Sequence, residues 1–162
     1  MSEKPGIIRQ TTTSALAEAR ELIASATHAA LAAIEPDSGH PLASRVGLAS
    51  LADGTPFTFI SALAAHTAAL EADPRCSLLI GHIGKGDPLA QPRLTLSCHA
   101  RFVARGDALV AQARTRYLEA HRRAAIYVDL PDFSLVLFDV ERVSFNAGFG
   151  KAYRFSGREL GA

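Results

Sequence analysis

The stretch FTFISALAAHTAALEADPRCSLLI, residues 57–80, decides the fold, because it places a strand, a short helix and a second strand in close succession. Residues 57–61 are apolar and β-prone, which predicts a strand. Alanine and leucine dominate residues 64–72, and this helix should end at Asp73, because the residue before Pro74 disfavours helical backbone. The apolar residues 75–83 then predict another strand.

Turn signals separate the remaining strands. The prolines and glycine within residues 36–41 and the pair Asp53-Gly54 are typical of turns between antiparallel strands. Strands are predicted at residues 28–34, 42–50 and 93–105. Residues 134–145 predict a pair of strands with a break near residues 139–142. Helices are predicted at residues 14–27 and after Asp107. The irregular order of strands and helices excludes a doubly wound parallel sheet. We predict a mainly β (α+β) fold, a small antiparallel barrel with peripheral helices.

Residues 1–13 are polar and rich in threonine, which predicts a flexible N-terminal arm before a single domain over residues 14–162. The net charge of +1 argues against nucleic acid as a partner. No apolar run approaches the roughly 18 residues of a membrane span, and the N-terminus lacks the apolar core of a signal peptide. Cys76 and Cys98 lie in apolar runs without a CxxC partner, which favours reduced, buried thiols in a cytoplasmic protein.

The helix entry after residue 61 carries three side chains that can bind an anion: Ser61, His66 and Thr67. Unpaired N–H groups at a helix N-terminus attract phosphate, and both hydroxyls and the imidazole can donate to it. Ser61 also suits an ordinary helix cap, with Thr67 half-buried in the helix. The residues alone leave both readings open.

Cationic side chains in the strands and the C-terminal tail extend the anion hypothesis. Arg45 lies in an otherwise apolar strand, where a guanidinium can bind phosphate with two hydrogen bonds or pair with a carboxylate. Gly47, on the same face as Arg45, predicts room for a flat ring. Arg93 opens a strand, and Lys151 follows two glycines in the tail. The six histidines show no metal-binding spacing, so no metal site is predicted.

Five segments together resemble a known family: RVG, then the S-x-L-A-x-H-T and DPRCSLL motifs, then DPLAQPRLTL and GFGKA. They are similar to the FMN-binding split-barrel proteins of the pyridoxamine 5′-phosphate oxidase-like family. Within that family, the chain resembles most the group containing the heme-utilisation proteins. The similarity extends over nearly the whole chain after Ser14.

The resemblance implies a homodimer of six-stranded, Greek-key split barrels with two FMN sites at the subunit interface, acting as an oxidoreductase on an unknown small molecule. It places along the flavin and its phosphate the residues Ser44, Arg45, Val46, Ser61, His66, Thr67 and Arg93, with Lys151 arriving from the other subunit. Ala49 stands where the oxidases carry a substrate-binding lysine, and tryptophan is absent, which argues against vitamin B6 oxidation. One alternative is a heme-binding or heme-utilisation protein without flavin, and another is a ligand-free interaction module that keeps only the dimer.

Overall fold

The computed structural model describes residues 8–161. The strands are β1 (Ile8–Arg9), β2 (His28–Ile34), β3 (Pro41–Gly47), β4 (Ala49–Ser50), β5 (Pro56–Ser61), β6 (Arg75–Ile80), β7 (Arg93–Phe102), β8 (Phe133–Asn146) and β9 (Ala152–Ser156). The α-helices are α1 (Thr13–Ser25), α2 (Ala65–Ala72), α3 (Ala108–Ala120) and α4 (Gly157–Leu160), and 3₁₀ turns cover Pro88–Ala90 and Arg122–Ile126.

The strands form one sheet that curls into a split barrel. Its hydrogen-bonded order is β1-β9-β8-β7-β6-β2-β3, and β5 pairs with both β4 and β8. One circuit therefore runs through β2, β3 with its continuation β4, then β5, β8, β7 and back through β6 to β2. Between β3 and β5 the described ladders are bridged only by the two-residue β4, which leaves the barrel split on that side.

The prediction of a mainly β split-barrel fold with peripheral helices is confirmed, but residues 8–161 contain nine strands where six were expected. Strand β4 is separated from β3 because the Leu48 N–H bonds to the Thr27 carbonyl, outside the ladder. Strand β9 lies in a tail without a regular apolar period, and only its Phe155 is buried. Strand β1 pairs in parallel with β9.

The predicted break near residues 139–142 is a bulge within one continuous strand. Ser97 faces Arg142 and Cys98 faces Val140, so Glu141 is an extra residue in β8. A bulge bends a strand while leaving its ladder on both sides. The long β8 can therefore pair with β7 on one edge and with β5 and then β9 on the other.

Two apolar clusters hold the sheet. The larger fills the barrel and includes inward residues of β2 such as Leu31, together with Ile23 of α1 and Leu70 of α2. The smaller lies outside the barrel, where Tyr117 of α3 packs on Phe57 and Phe59 of β5. Both faces of β5 are thus buried, whereas β2 buries its inner face and exposes its outer face.

The N-terminal arm predicted over residues 1–13 lies partly outside the described residues, and the single domain over 14–162 stays a prediction. Within the described part, Thr12 caps α1, since its side chain accepts a hydrogen bond from the Ala15 N–H at 3.1 Å. Helix α1 therefore begins at Thr13, one residue before the predicted start.

Candidate functional site

A groove on the outer face of the sheet brings together two of the predicted site residues, Arg45 and Arg93. Arg45 of β3 faces Ala30 of β2, and Ala30 faces Leu79 of β6, so these side chains share one outer surface. Arg93 stands at the start of β7 and closes the groove on the far side. The groove has a volume of about 370 Å³ and is lined by His28, Ala30, Arg45, Leu79, Gly81, His82, Ile83, Pro88, Leu89, Gln91, Pro92 and Arg93. We call it the Arg45 groove.

The charged side chains of the Arg45 groove are all cationic. Its lining contains two arginines and two histidines but no aspartate or glutamate. Arg93 donates through Nη1 to the Leu89 carbonyl at 2.8 Å and the Gln91 carbonyl at 3.2 Å, which fixes its position and leaves its other nitrogens free of protein partners within the described residues. Arg45 makes no ion pair within residues 8–161. Such guanidinium groups above apolar walls suit a ligand with an apolar body and anionic groups.

Ser61 and Thr67 form a separate site, which we call the Ser61 corner. The Ser61 hydroxyl donates to Asp132 Oδ2 at 2.6 Å and accepts from the Leu63 N–H at 3.1 Å. The Thr67 hydroxyl donates to the Ser61 carbonyl at 2.6 Å, and Thr67 is only 2% exposed. Both hydroxyl protons are therefore already bonded inside the protein. Neither residue lines the Arg45 groove.

Helix α2 begins beside this corner. Its N-cap residue is Ala64, whose side chain makes no capping bond, so Ser61 belongs to the preceding turn rather than to the cap position. His66 lies in the first turn, and partial burial lowers the pKa of its imidazole from the usual 6.5. The ring is therefore neutral at pH 7 in the protein as it stands. To bind an anion, the corner therefore has the first backbone N–H groups of α2 and the neutral imidazole of His66.

The remaining residues on β3 point away from the groove. Val46 is 4% exposed and lies in the barrel core, and Ser44 shares its inner face of β3, opposite Leu31. Only the backbone of Val46 is available to a ligand on the outer face. Gly47 is on the outer face, as predicted from its spacing to Arg45.

The predicted room beside Gly47 is not there, which corrects that expectation. A Cβ atom at residue 47 would clash with the Tyr117 hydroxyl group and would lie 3.6 Å from Cε1 of His121. His121 is also held beside Gly47, since its Nε2 is 2.9 Å from the Leu48 carbonyl oxygen. Burial raises the pKa of the Tyr117 hydroxyl, which stays protonated. The glycine makes space for a tyrosine of α3, not for a ring ligand.

Lys151 is exposed at the turn between β8 and β9. Its carbonyl accepts from the Ala147 N–H at 2.9 Å, which closes the turn. Gly148 in the same turn has φ 118° and approaches the Ala90 carbonyl so closely that a Cβ there would lie 3.3 Å from it. The turn thus abuts the 3₁₀ segment that lines the Arg45 groove in the same chain. The approach of Lys151 to a second subunit stays a prediction.

Besides Gln91 of the groove lining, sequence reasoning missed three polar residues at these two places. His28 and His82 line the Arg45 groove, and Asp132 holds Ser61. The alternation of β2 gives a signal for His28, because it is in phase with the exposed Ala30 and not with the buried Ala29. Asp132 offers no local signal, since its contact spans 71 positions of the chain.

The fold agrees with what the chain is similar to. The family model described as pyridoxamine 5′-phosphate oxidase matches residues 15–147. The non-canonical heme oxygenase HOZ, chloroplastic, of Arabidopsis thaliana is 36% identical over 119 residues, which are 74% of this chain and 36% of that protein. This chain thus spans about a third of the length of that curated relative.

Solved structures extend the comparison. The heme binding protein from Mycobacterium smegmatis superposes with a TM-score of 0.83 at 35% identity, covering 93% of this chain and 61% of that chain. A protein of unknown function from Agrobacterium tumefaciens superposes with a TM-score of 0.81 at 31% identity, covering 97% and 65% of the two chains. No helix within residues 8–161 has the length and apolarity to cross a membrane. Because the family model matches most of its length, the chain belongs to the pyridoxamine 5′-phosphate oxidase family, and its relatives include heme-binding proteins.

Proposed function

We propose that the protein binds heme in the Arg45 groove and serves in heme handling. The observation that carries the proposal is the lining of the groove, which combines two guanidinium groups and two imidazoles with apolar side chains and contains no carboxylate. Heme is a flat apolar ring with two propionate carboxylates and an iron that binds imidazole. The heme proteins among the relatives that are more than 30% identical support the same choice.

Each group of the groove has a role in this proposal. Arg45 and Arg93 bind the propionates through charge-assisted hydrogen bonds. Leu79, Ile83 and Leu89, which are 48%, 72% and 73% exposed, cover the ring and exclude water from it. When bound, heme would supply an iron centre able to bind an imidazole and to change redox state. The apolar walls lower the polarity around that centre.

FMN is the second candidate, with the protein acting as an FMN-dependent oxidoreductase on a small molecule. The family match and the unpaired Arg45 guanidinium, which suits a phosphate, favour it. The Ser61 corner fits a phosphate less well, because its hydroxyl protons are engaged and the Asp132 carboxylate lies 2.6 Å from Ser61 Oγ. A dianion there would be repelled by that carboxylate. FMN would therefore bind with its phosphate on Arg45.

A homodimer belongs to the same proposal. The rim of the Arg45 groove exposes Ile83 and Leu89, and Phe149 in the neighbouring turn is 96% exposed. Side chains of this size and exposure mark a surface that another protein covers. A second copy seated there would enclose the cofactor between two subunits. Light scattering of the purified protein should give twice the mass of 17.2 kDa, and a monomer that binds cofactor would contradict the interface site.

A cytoplasmic location also belongs to the proposal. Cys76 and Cys98 are partners in the β6–β7 ladder, and both thiols are free and buried. Reduced thiols of this kind suit a reducing compartment.

One titration tests the two cofactors against each other. Hemin and, separately, FMN are added to the cofactor-free protein, and binding is followed by the Soret band for hemin and by flavin fluorescence for FMN. We expect a saturable Soret shift at one hemin per chain and weaker FMN binding. Saturable FMN binding without a Soret shift would replace heme by the second candidate, and binding of neither would overturn the proposal.

A further inference from the structure

We propose that His28 coordinates the heme iron through Nε2, an inference that rests on the proposed function. Two histidines line the Arg45 groove, and they differ in how the protein holds them. The position, the ring contacts and the neighbours of His28 suit an axial ligand, whereas those of His82 do not.

His28 is the first residue of β2 and lies on the outer face of the sheet, in phase with Ala30. It faces Gly47 on β3, and Gly81 lies beside it in the groove lining. Its neighbours in the groove, Ala30 and Gly81, are thus small, whereas Tyr117 of α3 fills the outer side of Gly47. On the side of Ala30 and Gly81, the exposed imidazole leaves its outer nitrogen accessible to a ligand in the groove.

The inner nitrogen of His28 already has a partner. Nδ1 lies 3.4 Å from Thr27 Oγ1, within hydrogen-bond distance of the hydroxyl. Within residues 8–161, Nε2 makes no hydrogen bond to the protein. A metal-binding histidine is generally oriented by a hydrogen bond to its other nitrogen. Thr27 is therefore the residue that positions the His28 ring.

The anionic groups of the ligand fit the same arrangement. Arg45 is one strand away from His28 and two positions along the sheet, since Ala30 faces Arg45 while His28 faces Gly47. Neighbouring strands lie about 4.8 Å apart, and alternate residues on one strand about 6.8 Å apart. A porphyrin centred over His28 can therefore place a propionate within reach of the long Arg45 side chain.

His82 lacks these features. It lies in the segment after β6 that has no regular secondary structure, and within the described residues its ring has no hydrogen-bond partner to orient it. A ligand at this position would have to order the segment first, at a cost in conformational entropy. His82 is therefore the matched comparison for His28: the same side chain, in the same groove, without the positioning contact.

The test uses the full chain, loaded with hemin, in three forms: the unmodified protein, His28→Ala and His82→Ala. The Soret band and the iron–histidine stretch in resonance Raman spectra report the axial ligand. We expect His28→Ala to lose the histidine signature and to bind hemin at least tenfold more weakly, with added imidazole restoring the spectrum. His82→Ala should keep the signature. His28 is exposed, so its variant should keep the melting temperature.

The outcomes separate this inference from the function on which it rests. If the unmodified protein gives no Soret shift, both fall together. If it binds hemin and His28→Ala keeps the histidine signature, or His82→Ala loses it, heme binding stands and the assignment to His28 is wrong. Thr27→Val adds a graded check, because loss of the positioning hydroxyl should move the iron–histidine frequency without removing it.

Discussion

The Arg45 groove and the Ser61 corner both present polar side chains next to strand ends, yet they differ in where those side chains are bonded. In the corner, the Ser61 and Thr67 hydroxyl groups each donate at 2.6 Å to a partner within the chain. In the groove, Arg45 stands without a partner among the described residues. A bonded polar group stabilises the fold, whereas an unpaired cation in an apolar groove remains available to a ligand.

The comparison predicts that substitutions in the two places act on different quantities. Groove substitutions should change ligand affinity and leave the free energy of unfolding unchanged. Corner substitutions should do the reverse.

The largest effect should come from Arg45→Ala. Loss of a charge-assisted hydrogen bond costs about 1.5–3 kcal/mol, which is roughly a 10- to 150-fold weaker affinity for hemin. Arg45 is exposed, so the urea midpoint should stay within experimental error. Arg123→Ala, which removes the same charge from an exposed position outside the groove, is the control and should bind as the unmodified protein does. Equal hemin affinities of the two variants would contradict the assignment of hemin binding to the Arg45 groove.

Thr67→Val should cost about 1–3 kcal/mol of unfolding free energy, because it removes the donor to the Ser61 carbonyl inside a buried site. Urea denaturation measures this directly. Thr115→Val on the exposed face of α3 is the matched control, with an expected change within about 0.5 kcal/mol. Hemin affinity should be the same in both variants. A weaker hemin affinity in Thr67→Val alone would show that the Ser61 corner is part of the binding site.

Ser61→Ala should be smaller, about 1–2 kcal/mol, since its bond to Asp132 is only partly buried. The double variant with Asp132→Ala identifies the source of that loss. If the two side chains stabilise each other, the double variant should lose less than the sum of the single losses. Additive losses would show that Ser61 acts through its turn with the Leu63 N–H instead.

Much of the fold follows from the sequence, and less of the site does. Apolar alternation and turn residues locate β2, β5 and β6, since those strands bury one or both faces in the barrel. The same patterns cannot find β9, whose pairing with β8 depends on contacts across the sheet rather than on its own period. Arg45 stands out because a charge interrupts an apolar strand.

The Ser61 corner shows why local chemistry is a weaker guide. Ser61, His66 and Thr67 are the right residue types for an anion, but their availability depends on Asp132, a distant residue in sequence. Gly47 teaches the same lesson, because the side chain that fills its space comes from α3. Residue type predicts what a group can bind, and only the fold determines whether that capacity is already used.

His66 gives the smallest effect and the finest test of the separation. Burial lowers its pKa in the folded protein, so the unfolded chain, with a value near 6.5, binds more protons over the interval between the two values. Stability should therefore be complete above about pH 6.5 and fall as the pH drops through that interval. His66→Gln removes this protonation effect, so its urea midpoint should fall less between pH 7.5 and 5.5 than that of the unmodified protein.

The His66 pKa also shows whether an added ligand binds in the Ser61 corner or in the Arg45 groove. An anion bound at the corner would raise the His66 pKa, as followed by NMR of the ring protons, because a nearby negative charge favours the imidazolium. A ligand held by Arg45 in the groove should leave that titration where it was, and an upward shift on adding FMN or hemin would place the anionic end at α2 after all.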